Sequence, residues 1–116
     1  MVKVVVVIRR IEGMSREEFL RHWVDDHPAY VRRLPRIRGY RQSPAIEHRK
    51  PWPFDGMAEL TFDSVSDVKQ AFDSPAGREL FRHEEDFLGG VDWFIAEEAI
   101  DVPLEASARS SLEARA

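Results

Sequence analysis

Val4-Val5-Val6-Val7-Ile8 is the stretch that decides the fold. Five consecutive β-branched side chains favour an extended backbone over a helix. The run has no polar alternation, so a strand here carries apolar side chains on both faces. It falls well short of the 18 or so apolar residues that a membrane-spanning helix requires. One Lys precedes it and no small-residue cleavage site follows, so it does not read as an export signal, and a cytoplasmic location is expected. The first strand is predicted over residues 2–9.

Downstream, Ser15 stands before Arg16-Glu17-Glu18, a capping box that opens a helix. Phe19, Leu20, Trp23, Val24 and His27 fall on one face of it. Pro28 has no N–H and crowds the turn before it, which predicts a distortion or interruption at His27. The helix resumes over residues 29–34 and Pro35 ends it. A second strand is expected over residues 36–47, with a bulge at Gly39. Pro51 and Pro53 keep residues 48–54 out of a sheet. Residues 55–62 read as a third strand. Ser64 caps a helix through residue 72, and Ser74-Pro75 marks the start of another, running to about residue 87. Gly89-Gly90 breaks it, and residues 91–99 form a fourth strand. One domain, residues 1–101, is followed by a tail, residues 102–116, that is either a loose end or an arm packing on a partner subunit.

The order β-α-β-β-α-β is that of the ferredoxin-like α+β fold, a four-stranded antiparallel sheet with the helices on one face. The strands nevertheless carry apolar residues on both faces. Val5 and Val7 oppose Val4, Val6 and Ile8, while Val91, Trp93 and Ile95 oppose Phe94 and Ala96. A bare apolar sheet is avoided in water. A homodimer, sheet against sheet, is therefore expected, giving a dimeric α+β barrel with a pocket between sheet and helices.

The 116 residues suffice for a single core. With no Cys, disulfides, thiolate metal sites and cysteine nucleophiles are excluded. A net charge of −4 gives no basic excess, so nucleic acid is not an expected partner. Asp25-Asp26-His27 and His83-Glu84-Glu85-Asp86 bunch titratable groups, but adjacent helical residues face different ways. His22 and His27 miss the four-residue spacing of a zinc helix. No metal and no cofactor are expected, and neither a phosphate loop nor a nucleophile elbow occurs. Arg32, Arg33, Arg36 and Arg38 read as a solvated basic patch.

Three residues invite chemistry. His27, on the apolar helix face beside Trp23, has a pKa that burial or a carboxylate can move across neutrality. It serves either as a general base or as a hydrogen-bond partner for backbone freed by Pro28. Tyr40, on the second strand, either polarises a carbonyl or belongs to the core with its hydroxyl at the rim. Glu59 shares a strand face with Met57 and Thr61, so it points to the dimer side if Leu60 and Phe62 meet the helices. It must be paired or protonated there.

Arg9-Arg10, Gly13-Met14-Ser15, Phe19, His22-Trp23, His27-Pro28, Pro35 and Gly39-Tyr40 together resemble the opening of EthD-domain proteins. So do Asp55-Gly56-Met57-Ala58-Glu59-Leu60-Thr61-Phe62-Asp63-Ser64, Ser74-Pro75-Ala76-Gly77 and Asp86-Phe87. The resemblance covers residues 2–99. It implies a dimeric α+β barrel working without metal or organic cofactor. EthD itself is associated with bacterial ether degradation, and relatives include methylmuconolactone methylisomerase and small cyclases or dehydratases of polyketide-like compounds. A helix His and a strand Tyr line the pocket of the isomerase-like relatives, which implies those roles for His27 and Tyr40. The isomerase's pocket Cys has no counterpart here. The function so implied is a cofactor-independent isomerase, cyclase or lyase/dehydratase acting on a small oxygenated, partly apolar metabolite. His27 and Tyr40 are its expected catalytic residues, with Trp23, Trp52, Phe54 and Glu59 against the substrate. A non-catalytic ligand-binding protein of a degradation pathway and a small monooxygenase of the same fold are the alternatives.

Overall fold

Antiparallel pairing organises the chain around its first strand. The computed structural model describes residues 1–105. In chain order the elements are β1 (Val2–Arg10), α1 (Arg16–Leu20), a π-helical segment (Arg21–Asp26), α2 (His27–Val31), β2 (Gly39–Pro44), β3 (Gly56–Phe62), α3 (Val65–Asp73), α4 (Pro75–Glu84) and β4 (Leu88–Ala96). The four strands form one sheet in the order β2-β3-β1-β4, so β1 is hydrogen-bonded along both edges. This is the α+β ferredoxin-like arrangement.

The β1 run divides its side chains as the pleat requires. Val4 and Ile8 are buried under the helices, with Val2 and Val6 packed beside them. Val5 and Val7 face the other way, next to Met57 of β3 and Phe94 of β4. No helix among the described residues covers that second face, and Phe94 is 59% exposed there. Ion pairs frame it: Lys3 with Glu59 at 3.7 Å, Arg41 with Glu59 at 3.9 Å, and Arg9 with Asp92 at 3.8 Å. The helix side closes over a core that includes Phe19, Trp23, Leu60, Phe62, Leu80 and Phe87.

The helix starts follow their caps. The hydroxyls of Ser15, Ser64 and Ser74 accept from the backbone N–H groups of Glu18, Asp67 and Gly77. The Glu18 carboxylate pairs with Arg21 at 3.9 Å instead of turning back to its cap. Pro28 does disturb the helix, but by widening the turn ahead of it. The His27 N–H bonds to His22 O, five residues back, and the helix then continues through Val31. In that register residue 28 should donate to Trp23 O, and Pro28 has no N–H to give. The Gln42 side chain supplies the missing donor at 2.7 Å.

Three boundaries differ from the sequence reading. β2 is short, and Gly39 pairs with Thr61 in regular register, so no bulge lies there. α4 ends at Glu84, and Gly89 and Gly90 belong to β4. They sit where the β1–β4 register shifts at Arg9/Arg10. A Cβ on Gly89 would stand 3.0 Å from Arg10 O, so these glycines permit close strand approach instead of breaking a helix. Residues 97–105 form no strand or helix, and residues 106–116, most of the expected tail, lie outside the described residues. No helix among the described residues is long and apolar enough to cross a membrane.

Candidate functional site

A cavity of about 90 Å³ lies between the helix side of the sheet and the helices. Its walls are apolar, formed by residues such as Ile8, Leu60, Leu80 and Trp93, with three titratable groups among them: His27, Tyr40 and Glu84. Among the described residues no Lys or Arg lines it.

His27 opens α2, directly after the π-helical turn, and is only 4% exposed. Its Nδ1 lies 2.9 Å from Nδ1 of His83 on α4. Only one proton fits between those nitrogens, so one ring donates and the other accepts. When His27 donates, its Nε2 carries a lone pair. That Nε2 is 3.8 Å from Glu84 Oε2. The His83 ring stacks on Tyr30 at 4.2 Å, and Phe87 meets the His27 ring edge-on at 5.4 Å. Burial, and next the neighbouring His83, push the His27 imidazole down to about 4, so it is neutral at pH 7. Burial lowers His83 as well.

Glu84 is the last residue of α4, its side chain 19% exposed. Burial among apolar walls pushes its carboxyl up to about 7. Tyr40 stands opposite Leu60 in the β2–β3 ladder and therefore faces the helices. Its oxygen accepts from Gln42 Nε2 at 3.0 Å, the same amide that serves Trp23 O. The phenol proton is left free to donate, and burial raises the phenol well above its ordinary value. Trp23 packs tightly over the β3 backbone, where a Cβ on Gly56 would come within 2.6 Å of its ring.

His27, Tyr40 and Trp23 thus converge as the sequence suggests. Trp52, Phe54 and Glu59 do not line this cavity, which corrects that part of the expected substrate wall. Glu59 alternates with Leu60 and so points to the opposite sheet face, where it pairs with Lys3 and Arg41. Trp52 is half exposed, donates to Ile46 O at 2.9 Å and tilts against His48. Phe54 lies under the Arg9 guanidinium at 4.5 Å. Their loop is tied to the far end of the strands through Ala45 N–H to Asp55 O and Asp55 N–H to Ile8 O. Sequence reasoning missed Glu84, passing over it within an acidic run. Its signal is position: Leu80, Glu84 and Phe87 share one helical face, which sets a carboxyl on an apolar stripe. It also missed His83 and Gln42 as supports for His27 and Tyr40. Arg33, Arg36 and Arg38 of the basic patch are paired with Glu79, Asp67 and Asp63. Among the described residues no three His, Asp or Glu side chains converge to hold a metal ion.

A model described as the EthD domain matches residues 11–90. No curated protein matches the sequence. Among solved structures, an ethyl tert-butyl ether D (EthD) family protein from Bacillus halodurans C-125 superposes with TM-score 0.73 at 22% identity, covering 85% of this chain and 99% of that one. A dimeric protein of unknown function and ferredoxin-like fold from Bacteroides fragilis NCTC 9343 gives 0.66 at 13% identity, covering 84% and 95%. The hydroxynitrile lyase of Passiflora edulis gives 0.67 at 17% identity, covering 88% and 96%. At these identities the likeness establishes the fold.

The two buried groups make opposite demands on stability. His27 binds its proton more weakly folded than unfolded, so its contribution is lost as pH falls from 6.5 through about 4. Glu84 binds its proton more tightly folded, so its contribution is present below 4.5 and lost as pH rises through about 7. Each is worth roughly 3 kcal/mol, and between the two ordinary values the slopes oppose. Relative to wild type, Glu84→Gln should lose stability more steeply on acidification across that window. His27→Gln should lose it on alkalinisation. Urea midpoints read at several pH values check this, and parallel profiles for the three proteins would contradict it.

Proposed function

The chain belongs to the EthD family, and from that premise we propose that it is a cofactor-independent enzyme moving a proton beside a carbonyl group. Isomerisation, cyclisation and elimination all begin with that step. The observation that carries this reading is a neutral imidazole nitrogen at the wall of an apolar cavity, across from a phenol whose proton is free.

The substrate class follows from the walls. With no Lys or Arg among the described residues to meet it, a buried carboxylate or phosphate would be uncompensated. The substrate is therefore uncharged. A cavity of about 90 Å³ restricts it to a small molecule or to the reacting end of a larger one. His27 Nε2 takes the proton next to the carbonyl, while Nδ1–H to His83 keeps the ring in place and stabilises the imidazolium. Tyr40 donates to the carbonyl oxygen as charge develops there, its own oxygen held by Gln42. A positioned base contributes about 10²–10⁴-fold, and an oxyanion donor about 10²–10³-fold. That a fold relative is a hydroxynitrile lyase supports the lyase branch.

The second apolar sheet face carries the other half of the proposal. Val5, Val7, Met57 and Phe94 form a patch bordered by charges of both signs, which suits a second copy of the same surface. The dimeric relative from Bacteroides fragilis supports a homodimer.

Both halves are testable. In deuterated water the protein should exchange the α-protons of small cyclic ketones and lactones, followed by proton NMR. His27→Gln should slow exchange by about 10²–10⁴-fold while remaining folded by circular dichroism at the assay temperature, and Tyr40→Phe should lose less. Saturation-transfer signals showing bound ketone without exchange would favour a non-catalytic binding protein. In sedimentation equilibrium, wild type should be a dimer at micromolar concentration and Val7→Arg a monomer or aggregate. A stable wild-type monomer would rule the homodimer out.

A further inference from the structure

We propose that Glu84 is a second catalytic residue, the general acid that hands a proton to the substrate as His27 removes one, and that the reaction is elimination of water or an alcohol. The proposal rests on the proton-transfer reading above and narrows it.

The geometry carries it. Glu84 and His27 come from different helices and line the same cavity, with Oε2 and Nε2 3.8 Å apart. Leu80 precedes Glu84 by one turn, and Phe81 and Leu88 share the wall. Among the described residues no guanidinium or ammonium lines the cavity to hold a carboxylate. The position also ends α4, where the helix dipole disfavours negative charge. Both influences keep the proton on the carboxyl, and a protonated carboxyl is a donor. For packing alone, an apolar residue would serve this stripe better.

The proton cycle closes without a further reactant. His27 Nε2 bonds to the α-hydrogen as the C–H bond breaks, and the electron pair passes toward the carbonyl oxygen, held by Tyr40. The pair then forms the carbon–carbon double bond as the β C–O bond breaks. Glu84 gives its proton to the departing oxygen, releasing water or alcohol. Imidazolium and carboxylate are left 3.8 Å apart, and the proton passes from Nε2 to Oε2 to restore both. An acid is needed only where the leaving oxygen is poor, which selects β-hydroxy or β-alkoxy carbonyl compounds. The other titratable groups about the pair are Tyr40 on β2, Tyr30 on α2 and His83 on α4, with Asp86, Asp26 and His22 around His83.

Two probes separate the roles: a simple β-hydroxy ketone, and the β-aryloxy ketone whose leaving group is nitrophenoxide. The second needs a base but no acid. For wild type, kcat/KM on the aryloxy ketone should rise as His27 deprotonates above about 4 and then stay level. On the hydroxy ketone it should rise likewise but fall again above about 7. Glu84→Gln should cut dehydration by about 10²–10⁴-fold and nitrophenoxide release far less. Glu84→Asp should recover part of the rate and keep the alkaline fall, which a packing role would not produce. His27→Gln should lose both reactions. Equal effects of Glu84→Gln on the two probes, or none, would overturn the role of Glu84 alone. Wild type inert toward the aryloxy ketone would overturn the proton-transfer reading itself.

Discussion

The register of β1 against its two neighbours is the constraint on which the rest depends. β1 carries apolar residues on both faces and is hydrogen-bonded along both edges where it crosses the core. Val4 opposite Leu60 and Ile95, and Ile8 opposite Gly56 and Val91, settle which residues meet the helices. Tyr40 inherits its direction from Leu60, one strand further out. A slip of one residue would turn Tyr40 and Trp93 to the bare face and bring Glu59 inside. The site is thus a consequence of strand pairing before it is a set of side chains.

On that scaffold, low polarity sets the chemistry. A cavity with apolar walls and, among the described residues, no cation keeps its groups neutral: imidazole deprotonated, carboxyl largely protonated at mildly acid pH, phenol intact. The imidazole and the phenol are each held by a partner that does not itself line the cavity. His83 holds Nδ1 of His27, and Gln42 ties the Tyr40 oxygen to the carbonyl that Pro28 leaves unserved. Pro28 therefore links helix distortion to the placement of both residues: the π turn puts His27 at the head of α2 and frees Trp23 O for Gln42. The neutral groups at the wall are the physical basis for favouring an uncharged substrate.

Much of this was legible in local pattern. The β1 run, the serine caps, the order of elements and the apolar face bearing His27 are short-range features, and each appears in the fold. Most of the misreadings share a long-range cause. Gly89 and Gly90 look like helix breakers, yet they are small because Arg9 and Arg10 cross them from another strand. Trp52 and Phe54 are large and apolar, but the loop closure at Ala45 and Asp55 carries them to the strand ends. Glu84 is the exception, missed within the titratable run 82–86 although Leu80 and Phe87 bracket it at helical spacing. No local rule joins His27 to His83 across 56 residues.

The central claim is that His27 is a neutral base with its proton on Nδ1 and a lone pair on Nε2. Nitrogen-15 NMR of the imidazole rings in the uniformly labelled full chain tests it without a substrate. His27 should show a protonated Nδ1 and an unprotonated Nε2 at pH 7, hold that pattern well below the 6.5 of an ordinary histidine, and titrate near 4. Titration of His27 near 6.5, or a proton on Nε2 at neutral pH, would contradict the account.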